Sequence, residues 1–354
     1  MKKLVVPVMV FVCAWVWGAT VVSIAEADTV PPLLVQYPVP GEPHHVAVEA
    51  PGRVWFTMPD QNMIGRLVVT STLEYEIITY TVPTANSSPY DLEYVTGALW
   101  FTEHTGNKIG RLDTTTGVVD EFQVPTADSQ PTGIDAVLGS PTRVWFTERV
   151  GNKLGQLVVT GTASYTFTEY SIPASFPDAQ PQDLCIETSD SIWFTAPGVN
   201  SFGNLKPSYW PWNPQAFVLR NAGGGSQPWA IAVDTGGYPW FTEPVGNRIG
   251  QFFPQTISFI NWYTLTVAGS DPYDLAVAQG LIWFTERNGN RAGQLRPGIR
   301  TVREFGLPAA SVPLGLAVDG TGCVWIADSG TNKIVSWCPP YFRSVYLPLA
   351  LRNS

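Results

Sequence analysis

Charge is scarce in this sequence. Only 14% of its 354 residues are Asp, Glu, Lys or Arg, against roughly 25% in ordinary soluble domains. Basic runs are missing beyond Lys2 and Lys3, and the formal charge is −9. A surface of that sign repels a phosphate backbone, so nucleic acid is excluded as an expected partner. Cysteine is nearly absent: there are four, with no CxxC pair, so structural zinc has no signature here. Histidine is limited to His44, His45 and His104, which leaves proton transfer near neutral pH few places to occur. After residue 27 no run of about 18 apolar residues remains, so the mature chain is expected to lack a membrane span.

Turn formers and aromatics are what the chain has in plenty. It holds 32 Gly and 31 Pro, and 12% of it is aromatic. That mixture suits many short strands joined by many turns. The start of the chain reads differently. Lys2 and Lys3 precede an apolar stretch from Leu4 to Ala25, and Ala25-Glu26-Ala27 offers a small-x-small cleavage pattern. Residues 1–27 are therefore expected to be a signal peptide, with an uncleaved anchor as the alternative reading. Either implies a secreted or extracytoplasmic protein, expected as a monomer.

Seven segments align without a gap: VWFTMPDQNMIGRL, LWFTEHTGNKIGRL, VWFTERVGNKLGQL, IWFTAPGVNSFGNL, PWFTEPVGNRIGQF, IWFTERNGNRAGQL and VWIADSGTNKIVSW. Their tryptophans, Trp55, Trp100, Trp145, Trp193, Trp240, Trp283 and Trp325, lie 42 to 48 residues apart. That period is one four-stranded propeller blade. Asn follows each Trp by seven residues, from Asn62 to Asn332, as a turn with positive φ requires. Gly follows by ten in six copies, where a missing side chain lets a neighbouring backbone approach; Val335 replaces it in the seventh.

Upstream of each Trp stands Pro-x-x-apolar, beginning at Pro43, Pro89, Pro131, Pro181, Pro228, Pro272 and Pro313, and leading into the innermost strand. The expected order is inner strand, WFTE strand, NKIG strand, outer strand. The whole is an all-β, seven-bladed propeller over residues 28–338, followed by a tail at 339–354. One outer strand is in excess. LLVQYPVP, from Leu33, can complete the seventh blade and close the ring, because an open sheet would expose unpaired edges. FRSVYLPLAL near the C-terminus competes for that slot.

The seventh repeat also carries two of the three cysteines left after signal removal. Pairing Asp328 with Lys333 around the turn sets Cys323 directly opposite Cys338, the separation a disulfide needs. Cys185 is expected to remain a buried free thiol.

Propellers place their sites at a mouth of the central channel. The residues just after the prolines enter it: His44, Tyr90, Thr132, Gln182, Trp229, Tyr273 and Leu314, with His45 next to the first. These aromatics make either a pocket for a flat or ring-shaped ligand or a plug. Glu42 lies two residues before His44, a spacing that allows one carboxylate to hold a divalent cation and one imidazole to accept a proton. Asp91, Asp183 and Asp274 fall in alternate blades and could ring the channel around a cation. His104, in a turn, is expected to be solvated. The recurring acids Glu103, Glu148, Glu243, Glu286 and Asp328 precede Lys or Arg by five residues, which predicts ion pairs within each hairpin.

The repeats WFTEHTGNKIGRL and WFTERVGNKLGQL, with outer strands such as EYSIP, resemble the streptogramin B lyases over residues 33–338. The resemblance implies a seven-bladed propeller closed by an N-terminal strand. It also implies Mg²⁺-assisted elimination that linearises a cyclic depsipeptide. Carried onto this chain, Glu42 would hold Mg²⁺, His44 would be the general base or acid, and Tyr90 would touch substrate. The family's second histidine falls on Leu314, which cannot transfer a proton. Two functions therefore stand: a propeller binding a small molecule or protein at its mouth, or a metal-dependent carbon–oxygen lyase, or related hydrolase, opening a cyclic ester or depsipeptide.

Overall fold

Why the WFT strands are apolar on both faces becomes plain from how the sheets stack. The computed structural model describes residues 33–338, apart from 71–73, 138, 140, 162–163, 212, 214–215 and 257–259. The expected signal peptide (1–27) and tail (339–354) lie outside the described residues. Strands are numbered in chain order. The first blade is β2 (Val46–Ala50), β3 (Arg53–Met58), β4 (Met63–Val69) and β5 (Tyr75–Thr81). The second is β6 (Pro89–Val95), β7 (Ala98–Glu103), β8 (Lys108–Asp113) and β9 (Val119–Gln123). Four further antiparallel blades occupy residues 131–171, 184–221, 231–264 and 272–306. The seventh is β26 (Pro313–Val318), β27 (Val324–Asp328) and β28 (Lys333–Cys338), completed by β1 (Leu33–Pro38). Leu33 pairs with Cys338 and Pro38 with Lys333, so the N-terminal strand closes the ring. Among the described residues no helix is long and apolar enough to cross a membrane.

The core lies between blades. Trp55 packs with Phe101 of the next blade, Trp100 with Phe146, and Trp145 with Phe194. Trp325 returns to Phe56 and completes the circle. Six blades thus send tryptophan one way and phenylalanine the other, and the seventh does so with Trp325 and Ile326, since neighbouring residues of a strand face opposite sides. Burying side chains of this size stabilises by about 1.5–3 kcal/mol each.

All seven asparagines have positive φ, between 50° and 56°. The repeat glycines serve a different contact from the one expected. A Cβ on Gly65, Gly110 or Gly155 would lie 2.1 Å from Cζ of Phe56, Phe101 or Phe146. The neighbour is the ring of the repeat's own phenylalanine, not a backbone. The seventh blade explains its exception: Val335 faces Ile326, whose smaller side chain leaves room for it.

The hairpin ion pairs form only in part. Glu103 and Lys108 face each other in register, yet Lys108 Nζ reaches Glu121 on β9 at 2.7 Å and Thr84 at 2.5 Å. Lys153 makes the same choice, meeting Glu169 at 2.6 Å. The fourth-strand acid lies where the long lysine stem stays partly solvated, whereas Glu103 and Glu148 turn inward and are fully buried. Among the expected pairs, Arg248 does bond Glu243. Lys333 bonds Gln36 of β1 at 2.6 Å, and Asp328 bonds Ser311 and Thr331.

Cys323 and Cys338 form the expected disulfide. Cys185 is free, though half-buried rather than buried. Closing a 15-residue separation is worth about 3 kcal/mol in the chain-entropy account. Replacing both cysteines by serine should lower unfolding free energy by about that amount in denaturant titration.

The Phe–Gly contact gives a second expectation. Gly110→Ala should destabilise by about 1–3 kcal/mol through overpacking. Adding Phe101→Ile, the seventh blade's solution, should recover part of the loss. A double-mutant cycle on thermal unfolding measures the coupling, and strict additivity would refute the contact's role.

Candidate functional site

One hydroxyl per blade positions the mouth. In six blades the WFT threonine accepts a hydrogen bond from its own inner strand and donates one to the residue after the next blade's proline. Thr57 Oγ1 accepts from His45 N at 3.1 Å and donates to Tyr90 O at 2.8 Å. Thr102 donates to Thr132 O, Thr147 to Gln182 O, and Thr195 to Trp229 O. Thr242 donates to Tyr273 O and Thr285 to Leu314 O. Ala327 stands there in the seventh blade, and its junction is made instead by Gly315 N to His44 O at 2.8 Å. Glycine is required at that contact, since a Cβ would sit 2.6 Å from His45 Cα.

The expected mouth residues are brought together unequally. His44, His45, Tyr90, Gln182, Trp229 and Tyr273 meet at the channel axis. Tyr90 and Tyr273 join their hydroxyls across the opening at 3.0 Å. The His44 ring lies 4.2 Å from that of Tyr90, and its Nε2 is 3.4 Å from Tyr273 Oη. Trp229 and Tyr273 rings are 5.8 Å apart. Thr132 and Leu314 are buried in the wall and do not line the cavity below. Glu42 is exposed to solvent and is not among the residues lining the cavity below.

Hydrogen-bond logic fixes the histidine tautomers. His45 Nδ1 lies 3.0 Å from Tyr90 O, which can only accept, so His45 Nδ1 carries the proton. In that tautomer His44 Nδ1, 2.7 Å away, shares the same proton as an acceptor. The His44 proton resides on Nε2 and is donated toward Tyr273 Oη. Burial holds His44 well below the ordinary imidazole value, helped by His45, Arg287 and His104 nearby. Burial likewise lowers His45. Both rings are neutral at pH 7, and His44 presents a donor to the mouth.

Two residues that sequence reasoning passed over, and one that it placed in solvent, complete the rim. Arg149 lies 5.5 Å over Trp229, and Arg287 lies 4.9 Å over Tyr273 while bonding Asp271. His104, expected to be solvated, is half-buried with its ring 5.5 Å from Tyr90. All three occupy the position directly after the repeat acid, a signal that was available.

Beneath the aromatic layer is a cavity of about 220 Å³ walled by acids, among them Asp91, Glu93, Asp135, Asp183 and Asp274. The aspartates do not converge on a cation. Asp91 takes Leu92 N and Ile134 N; Asp183 takes Leu184 N and Ile231 N. Asp274 takes Leu275 N and Leu316 N. Each carboxylate spends both oxygens bridging one inner strand to the next. Burial pushes Asp91 up to about 7 and Asp274 up to about 6.

The donors near Glu42 make a poor site for the implied Mg²⁺. Both His44 nitrogens are engaged, Glu42 is exposed, and Met58 occupies the repeat-acid position of this blade. Among the described residues no group of three or more His, Cys, Asp or Glu could hold a metal ion. The residues as placed do not fit the cation.

The virginiamycin B lyase family model matches residues 29–210. The chain belongs to this family. A streptogramin B lyase structure is 27% identical, with a TM-score of 0.74, covering 86% of this chain and 97% of that one. Virginiamycin B lyase from Staphylococcus aureus is 26% identical, with a TM-score of 0.75, covering 87% and 99%. A catalytically inactive histidine-to-alanine variant of the S. aureus enzyme, solved with quinupristin, is 25% identical, with a TM-score of 0.75 and the same coverage. No curated protein matches the chain.

The buried repeat acids carry a pH consequence. Glu103, Glu148 and Glu286 have no hydrogen-bond partner for either carboxyl oxygen among the described residues. The nearby Ser87, Ser129 and Ser270 donate to Asn62, Asn107 and Asn247 instead. Burial raises all three acids, and Glu243, to about 7. A raised carboxyl contributes stability that is complete below about pH 4.5 and lost as pH rises through about 7. The lowered His44, His45 and His104 act oppositely, losing stability as pH falls below 6.5. Glu121 and Glu169, lowered by their lysines, weaken the fold only below 4.5. The raised acids outnumber the histidines, so thermal unfolding temperature should climb from pH 8 to pH 5. A Glu103→Gln, Glu148→Gln, Glu286→Gln triple variant should flatten that slope and be the more stable protein at pH 8.

Proposed function

We propose that this chain is an extracytoplasmic binding propeller whose aromatic mouth holds a cyclic or aromatic small molecule without transforming it. The observation that carries the reading is the His44 network. Its Nδ1 is taken up by His45 and its Nε2 by Tyr273, so neither nitrogen stands free as a base toward a substrate C–H. Removing a general base costs a lyase about 10²–10⁴ in rate, and Leu314 supplies no substitute. The surface suits recognition instead: the half-buried Trp229 and Tyr90 give flat apolar area, while Arg149 and Arg287 offer donors to carbonyls at the rim. The disulfide is consistent with an oxidising compartment.

Family membership favours a second reading, a carbon–oxygen lyase acting on a cyclic depsipeptide. It requires Glu42 to swing inward and the His44–His45 pair to exchange its proton. The solved relative with quinupristin supplies the probe that separates the two.

Quinupristin is titrated into the protein by calorimetry, with and without Mg²⁺, and the ligand recovered for mass and chromatographic analysis. Binding with intact ligand is expected, weakened about tenfold or more in Trp229→Ala and Tyr90→Ala. A linearised product, abolished in His44→Ala and Glu42→Gln, would overturn the binding reading in favour of the lyase.

A further inference from the structure

On the face opposite the mouth, four blades tie the repeat indole to an acid of their own. Trp55 Nε1 donates to Glu49 at 3.0 Å, Trp193 to Glu187 at 2.8 Å, Trp240 to Asp234 at 2.9 Å and Trp325 to Asp319 at 3.0 Å. The first blade adds an arginine. Arg66, facing Trp55 across β3 and β4, bonds the same carboxylate through Nε at 2.9 Å and Nη2 at 2.7 Å. Its guanidinium lies 5.0 Å over the indole. Indole N–H and guanidinium fork together make a carboxylate clamp, the bidentate geometry for which arginine is suited.

The second blade repeats the clamp without its acid. Trp100 faces Arg111 across β7 and β8, and Arg111 lies 5.8 Å over the ring. Glu49 reaches Trp55 because it bulges out of β2, where pairing skips from Val48–Val54 to Ala50–Arg53. β6 pairs without interruption from Leu92 to Val95, opposite Ala98, so no residue bulges toward the indole. Among the described residues no acceptor is bonded to Trp100 Nε1. The third and sixth blades also lack the acid, but they place Gln156 and Gln294 opposite the tryptophan. Only the second keeps a cation there.

A cleft of about 670 Å³ opens at this place between the second and third blades, walled in part by Trp100, Arg111, Thr96, Thr142 and Val159. Two acids adjoin it. Asp120 touches Arg111 at 3.4 Å from a half-exposed position. Asp113 commits Oδ1 to the N–H groups of Thr115 and Thr116, which with Arg111 hold it below the usual range. Neither is bonded to the indole N–H.

We infer that this cleft is a second ligand site, which takes a small organic carboxylate in the place that the Glu49 carboxylate fills in the first blade. The bound anion receives Trp100 Nε1–H and the Arg111 fork, and it displaces the long Asp120 contact. The apolar part of the ligand lies along Val159 at the cleft wall, over the buried Trp100. This site is independent of the mouth.

The test uses the full protein with ¹⁵N-labelled tryptophan, reading the indole N–H signal assigned to Trp100 by its loss in Trp100→Phe. Acetate and benzoate are the probes, benzamide is the neutral isostere, and ionic strength is held constant. Saturable movement of the Trp100 signal with benzoate is expected, with a Kd on the order of 1 mM for one partly solvated anion. Benzamide should leave it in place. Arg111→Gln should weaken benzoate at least tenfold, Arg111→Lys less so, and His44→Ala should have no effect. A Trp100 signal unmoved by both carboxylates overturns the inference. So does an equal response to benzamide, or undiminished binding in an Arg111→Gln variant with unchanged thermal unfolding.

Discussion

A single hydroxyl group, repeated six times, sets the geometry of everything at the channel. The WFT threonine is fully buried in these blades, where an unmet polar group would cost about 1–3 kcal/mol. It meets both of its needs by bonding two inner strands at once, its own and its neighbour's. The aspartates of the channel wall do the same from the other side, each joining consecutive inner strands. Rotation of one blade against the next would break both sets. The residues after the prolines are therefore held in fixed relation, and aromatic rings from the first, second, fifth and sixth blades meet over the axis.

The polar groups lie in layers along that axis. Cationic Arg149 and Arg287 stand at the rim, neutral aromatic and imidazole rings lie beneath them, and carboxyls fill the cavity below. Burial keeps the carboxyls raised, so they act chiefly as hydrogen-bond acceptors for strand ends and less as a field of charge. The neutral middle layer separates arginines from acids that would otherwise pair with them. That separation leaves the guanidinium groups stacked on rings at the rim.

The blade count, strand order, N-terminal closure and disulfide were all legible in the sequence, because each follows from register along a strand. Trp-to-Trp spacing fixes the blade, and a shared sum of positions sets Cys323 against Cys338. What escaped was decided across blade interfaces. Lys108 faces Glu103 in register yet bonds Glu121 and Thr84, a residue of the preceding blade. Glu42 precedes His44 by two residues yet is exposed to solvent, and the carbonyl that engages the His44–His45 pair belongs to Tyr90 of the next blade. A repeat aligns blades with one another, but it does not say which side chains meet between them. Within a blade it does say so: Ile326 and Val335 depart from the repeat at two facing positions of one hairpin, each accommodating the other.

The closing seam also determines how the protein faces its surroundings. Leu33 and Cys338, the first and last residues of the ring, are paired at the end of the seventh blade remote from the mouth. Whatever precedes or follows them is joined to the molecule at one point on its back. The Cys323–Cys338 bond sits at that same end, so the link that locks the last hairpin also pins the edge on which the ring closes.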